Sequence, residues 1–329
     1  MDLPLFEKLH ARGLISNSSY ERVKSVAANP LFSLHWELKT LLYLGVLLLA
    51  SGLGIIVYKN IDTIGHQVIL VFTALVSGLS FLYCFKNKRP FSTRKVDTPN
   101  AFFDYILLLG CLTFVTCIGY LQFQFNFFGN RFGLATFIPM VVLFFAAYYF
   151  DHLAILSLAI TNLAAWAGIT VTPLQILKAN DFNNNTLIFT GLALGIFLIS
   201  AGIVTRKLEI KPHFAFTFTN FGMHIFFISC LAGLFHFEKA SLPWFLALCA
   251  AGYYFYKEAA RASSFYYIII LTLYVYIGLT YVVTRQLFYV ANLDVGGIYL
   301  LFIYFIVSAI FIVRFLMRIN RKLKSHARL

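Results

Sequence analysis

Hydrophobic positions run along most of this 329-residue chain in blocks of about 20, separated by short polar connections, with little of the one-sided 3.6-residue patterning of a surface helix. A block of that length matches the roughly 30 Å hydrocarbon core of a bilayer as an α-helix. Ten blocks are read as spans: 40–58, 66–85, 104–121, 131–150, 152–172, 186–205, 213–235, 242–257, 265–284 and 295–317. Helices follow because every backbone amide and carbonyl inside lipid must be satisfied within the segment itself. The expected fold is all-α, a polytopic bundle of ten transmembrane helices over 40–317. A cytoplasmic helical hairpin and lead-in precede it over 1–39, and a basic cytoplasmic tail follows over 318–329.

The hairpin is read from a different pattern. "PLFEKLHAR" places Leu5, Phe6 and Leu9 on one face, and Gly13 supplies a stop. "SNSSYERVKSVAA" restarts a helix, with Ser18 and Glu21 at capping-box spacing, and Asn29-Pro30 ends it. Two helices of this size hold no core alone, so the hairpin is expected to dock on the membrane domain or on a protein partner.

Composition supports the class. The chain is 60% hydrophobic and 12% charged, against about 45–50% and 25% in soluble domains. The net charge of +13 changes the picture only once it is placed along the chain. With the N-terminus in the cytoplasm, 21 Lys and Arg fall on the cytoplasmic side of the ten-span arrangement and 5 on the other. That is the positive-inside bias, and it predicts both termini in the cytoplasm of a bacterial inner membrane. The basic character then reads as a topological signal that also favours anionic lipid at "RFLMRINRKLKSHARL", rather than as a nucleic-acid surface. The five cysteines all lie in apolar segments without metal-ligand spacing, and no cofactor or metal motif is present.

Two stretches resemble a known family. "LFEKLHARGLISNSSYERV" with "LLYLGVLLLASGLGIIVYKNIDTIG" is similar to the N-terminal pattern of the bacterial membrane family called domain of unknown function 2157, whose helical hairpin leads into a glycine-rich first span and an Asn-x-Asp-like turn, here Asn60 and Asp62. "IGYLQFQFNFFGNRFG" and the span closing on Trp166 extend the resemblance to about residue 170, with two departures: Ile61 stands where the family favours an aromatic, and Gln122 and Gln124 follow Tyr120. The resemblance implies a bacterial inner-membrane protein and brings no activity or cofactor with it.

Candidate chemistry is sparse. All 13 acidic residues lie in loops or near span ends. A mid-membrane carboxylate, which ion-coupled carriers often keep despite its cost, is therefore not expected. No metalloprotease, phosphate-loop or nucleophile-elbow motif occurs, so an enzyme is not expected. His224 is the one titratable group near a midplane, and Asn220, Thr217 and His213 share its helical face. This row reads either as the wall of a cavity or half-channel, with Asn162 a possible addition, or as interhelical glue contributing about 0.6–2 kcal/mol per group. Asn60, Asp62 and His66 with Gln122, Asn130 and Arg131 form a candidate outer polar mouth, or an ordinary hydrated loop region with helix caps. Thr73, Ser77 and Ser80, and separately Gly191, Gly195 and Gly202, read as close-packing seams. Two functions follow: a transporter-like carrier of a small solute or lipid, and a non-catalytic scaffold or sensor subunit docking partners through the hairpin and the basic tail.

Overall fold

In a computed structural model of the chain, the described residues are 3–28, 34–59, 65–171, 184–261, 264–291 and 295–326. They are all-helical. Met1–Ile69 and Leu70–Leu329 form two compact units.

In the first unit, α1 (Leu3–Ala11) and α2 (Asn17–Ala28) make the expected hairpin. Gly13 turns the chain at φ 69°, a left-handed conformation that glycine adopts without a Cβ penalty. The His10 ring stacks on Tyr20 at 4.5 Å and bonds Asn17, while the Tyr20 hydroxyl donates to Glu7 at 3.4 Å. The cap differs from expectation. Ser16, not Ser18, precedes the helix, and its hydroxyl accepts the Ser19 amide at 3.3 Å. Ser18 lies inside the first turn, where it cannot serve as the N-cap residue. The long α3 (Leu34–Lys59) covers the first predicted span.

Nine helices cover the other predicted spans: α4 (His66–Asn87), α5 (Ala101–Phe125), α6 (Leu134–Phe150), α7 (Leu153–Val171), α8 (Asn185–Lys207), α9 (Phe214–His236), α10 (Ser241–Arg261), α11 (Phe265–Ala291) and α12 (Val295–His326). Among the described residues, seven helices are long and apolar enough to cross a membrane: α4, α5, α7, α8, α9, α11 and α12. The predicted span 131–150 is shorter than expected. Turns through 126–133 delay the start of α6 to Leu134 and leave it 17 residues. The basic tail is not a separate segment either, because α12 continues as one helix through His326.

Within the second unit α9 is the hub. Half of its central stretch is buried, whereas none of the corresponding stretch of α12 is. One face of α9 joins the core formed with α5, α6, α7 and α8 through Phe214 and Phe218. Another carries Met223, Phe227 and Leu234 against α10 and α11. Polar residues on α9 therefore face protein more than lipid.

Backbone approach explains the glycines. A Cβ on Gly195 would stand 2.8 Å from the Phe226 amide nitrogen, and one on Gly222 would stand 2.8 Å from that of Ile199. These glycines let α8 and α9 lie almost backbone to backbone, where dispersion contacts substitute for the hydrophobic drive that lipid does not supply. A similar seam joins α4 and α5, where the Ser77 hydroxyl donates to the Gly110 carbonyl at 3.0 Å.

Gly222→Leu is expected to destabilise the protein by about 1–3 kcal/mol through overpacking, lowering its thermal midpoint in mild detergent. Gly119→Ala, at an open helical position, is expected to be neutral or slightly stabilising. Equal midpoints for the two variants would contradict this account of the α8–α9 seam.

Candidate functional site

The densest polar assembly is built where three connections meet: residues 88–100 between α4 and α5, the two-residue turn between α6 and α7, and residues 208–213 between α8 and α9. The middle connection is as tight as helices allow. Asp151 takes the left-handed conformation, φ 60° and ψ 49°, and ends α6 by donating its amide to Ala147. Aspartate tolerates that region better than most residues. His152 then opens α7, its Nδ1 accepting the Ile155 amide at 3.4 Å.

This geometry drives the Asp151 carboxylate inward, where its side chain keeps 2% exposure. It is fully engaged. Oδ2 receives the Lys211 ammonium at 2.9 Å and the Val96 amide at 2.5 Å, while Oδ1 receives His213 Nε2 at 2.6 Å. Lys211 has a side chain only 1% exposed. Its Nζ also donates to the Arg94 carbonyl at 3.4 Å and lies 5.2 Å from the centre of the Phe91 ring. Its backbone, at φ 52°, donates to the Thr93 carbonyl at 2.7 Å. A second acid-imidazole pair lies alongside: Asp104 stands 3.7 Å from His152 Nε2 and accepts the Thr98 hydroxyl at 3.2 Å. Next to Asp151, a cavity of about 20 Å³ between Lys88, Val96, Pro99 and Phe150 is large enough for about one water.

Two opposite charges buried at contact distance do not stabilise a fold by much on balance, since desolvation offsets their attraction. Their consequence is geometric: neither can leave without stranding the other. Asp151 thereby ties three connections to one point.

The residues singled out from the sequence fall into separate places. His213 belongs to the Asp151 assembly, with Nδ1 buried and without a hydrogen-bond partner. Thr217 is buried further along α9, and Asn220 has its Oδ1 buried without a partner. His224 is held by α11, Nδ1 against the Tyr274 hydroxyl at 2.8 Å and Nε2 against that of Tyr266 at 3.3 Å. Asn162 bonds back to the Leu158 carbonyl of its own helix at 3.0 Å. Among the described residues, none of these five lines three cavities of about 350, 440 and 490 Å³, whose walls are overwhelmingly apolar.

At the other end of the bundle, Gln122 is buried and fully used. Its amide nitrogen donates to Asn126 and to the Gly129 carbonyl, both at 3.1 Å, and its oxygen accepts the Phe128 amide at 2.9 Å. It organises the 126–133 turn, while Asn130 and Arg131 are exposed on it. His66 stands at the start of α4. Asn60 and Asp62 lie outside the described residues.

Asp151 and Lys211 were legible only as a span-end acid and a loop cation. The one available signal was a lone carboxylate in a connection two residues long.

Residues 7–156 match the family model described as "Predicted membrane protein (DUF2157)". That stretch, a little under half of the chain, is similar to the family. No curated protein and no solved structure matches the chain. The DUF2157 segment runs from α1 to the first turn of α7, so Val96, Asp104, Gln122, Asp151 and His152 lie inside it, whereas Lys211, His213 and His224 lie beyond. The acid of the buried pair thus comes from the DUF2157 segment and its cation from the remainder.

Replacing Asp151 by Leu leaves Lys211 buried and unmatched, and is expected to cost about 3–5 kcal/mol. Lys211→Met is expected to cost a similar amount, and the double variant to recover most of the loss. A double-mutant cycle by thermal unfolding in detergent checks this, and strictly additive losses would show that the two charges are not coupled.

Proposed function

We propose that this protein is a non-catalytic scaffold or sensor subunit of a bacterial inner membrane, crossing it ten times with both termini in the cytoplasm. The helical hairpin and the basic cytoplasmic surfaces are its docking elements, towards a protein partner and towards anionic lipid. The observation that carries this reading is the engagement of the α9 polar row. His213 is tied to Asp151 and His224 to two tyrosines of α11, both in contacts that hold elements together. Among the described residues, none of that row lines the apolar cavities of about 350, 440 and 490 Å³.

A second observation supports a docking role. The connection anchored by the Asp151–Lys211 pair displays exposed Lys88, Arg89, Arg94 and Lys95. A cationic loop fixed from beneath is suited to being recognised, because less conformational entropy remains to be lost on binding. In the proposed ten-span arrangement this loop shares a side with both termini, a reading that the 21-to-5 distribution of Lys and Arg supports.

The carrier reading retains one specific point in its favour. Asn220 Oδ1 is buried and unpaired in the middle of the row, a position a solute or a water would satisfy.

Single cysteines at 220 and 224, in a background whose native cysteines are replaced, decide between the two. The scaffold reading expects both to resist a membrane-impermeant maleimide from either side, and labelling of both would establish an aqueous path along α9 and remove it. A fluorescent reporter fused after Leu329 is expected to be active in the cytoplasm. Reporter activity only on the periplasmic side would overturn the proposed topology.

A further inference from the structure

An apolar groove of about 350 Å³ lies among α10, α11 and α12. Its floor is α11, through Leu271 and Val275. One wall is α10, through Gly252 and Tyr253, and the other is α12, through Phe311 and Phe315. Gly252 deepens it, since a Cβ there would stand 2.9 Å from the Val275 side chain. The groove is open along one side, where Tyr253 and Phe311 are exposed. Towards one end, Ala259, Ile268 and Ile319 form a buried cluster.

Three features identify what fills it. First, its lining is overwhelmingly apolar and three of its hydroxyls are already engaged: Tyr276 and Ser308 bond each other at 3.0 Å, and the Thr272 hydroxyl donates to the Ile268 carbonyl at 2.7 Å. A polar solute finds few partners there, whereas a hydrocarbon chain loses nothing. Second, cations adjoin that cluster in sequence. The α12 stripe Ser308, Phe311, Phe315 recurs at three- and four-residue steps, and the next step is Arg318, which is exposed. On α10, the exposed Lys257 holds its ammonium 4.5 Å from the centre of the Tyr253 ring, at the wall itself. Third, the acid nearest Lys257 in sequence, Glu258, is taken by Arg206 at 2.9 Å, and among the described residues neither Lys257 nor Arg318 forms an ion pair with a carboxylate.

We infer that this groove is a site for an anionic phospholipid, one acyl chain lying between α10 and α12 and the phosphate held between Lys257 and Arg318. Apolar interhelical grooves with basic residues at the cytoplasmic end are suited to recognise such head groups. The assignment of the lipid to the cytoplasmic leaflet rests on the topology proposed above, but occupation of the groove does not.

The test uses the full chain in mild detergent, with native mass spectrometry of the protein titrated with phosphatidylglycerol and, separately, with phosphatidylcholine. The wild-type protein is expected to retain phosphatidylglycerol in preference. Lys257→Gln with Arg318→Gln, both at exposed positions, is expected to weaken phosphatidylglycerol binding about tenfold or more while leaving phosphatidylcholine unchanged. Cys249→Phe, which fills the groove, is expected to remove both. Equal retention of the two lipids by the wild-type protein, or unchanged binding in the Lys257/Arg318 double variant, would overturn the site. So would a dimer mass that the groove-filling variant abolishes, which would assign the groove to a second copy of the chain. The measurement reads lipid in detergent, so a failed topology experiment and a failed lipid site are separate results.

Discussion

A carboxylate with almost no contact with water must be neutralised where it stands, and Asp151 imposes that constraint on everything around it. Its position follows from a connection too short to let it turn outward. Once inward, it requires a cation, supplied by Lys211, and donors for its remaining lone pairs, supplied by the Val96 amide and His213. Each donor belongs to a different stretch of chain. Satisfying one buried charge therefore fixes the paths of two connections that would otherwise be free to wander over the surface. The helices beneath inherit that order, because α8 and α9 are joined by one of those connections and pressed together by their glycines.

This also accounts for the polar residues that α9 carries within an apolar bundle. Its position at the hub brings two of them to other elements: His213 meets the α6–α7 turn and His224 meets α11. Between them Thr217 is buried and Asn220 keeps an unpaired Oδ1. The row that shares one face in sequence is thus divided along its length.

The helices themselves were readable from the chain because their cause is local: length, apolarity and the obligation to close backbone hydrogen bonds. All ten predicted segments coincide with helices, although the fourth starts late because Gln122 builds a turn ahead of it from side-chain amide contacts that no periodicity reports. The glycine seam at 191–202 was also visible, since small residues at four-residue steps have one main use between helices. The site was less legible. His213 and His224 stood out as isolated polar groups in apolar surroundings, but their partners, Asp151 at 62 residues' separation and Tyr274 at 50, depend on tertiary placement. Lys211 was hidden for a different reason. A lysine in a polar loop is ordinarily solvated, and nothing adjacent to it in sequence marks it for burial.

The unbroken run of α12 has a mechanical result. Its 32 residues amount to about 48 Å at about 1.5 Å per residue, well beyond the roughly 30 Å thickness of hydrocarbon. Crossing along the bilayer normal, it would extend past the hydrocarbon by about 18 Å, roughly three turns, as a stiff post. A force applied to the end of that post would be carried through the bilayer as rotation or displacement of the whole helix, instead of being lost in a slack tether.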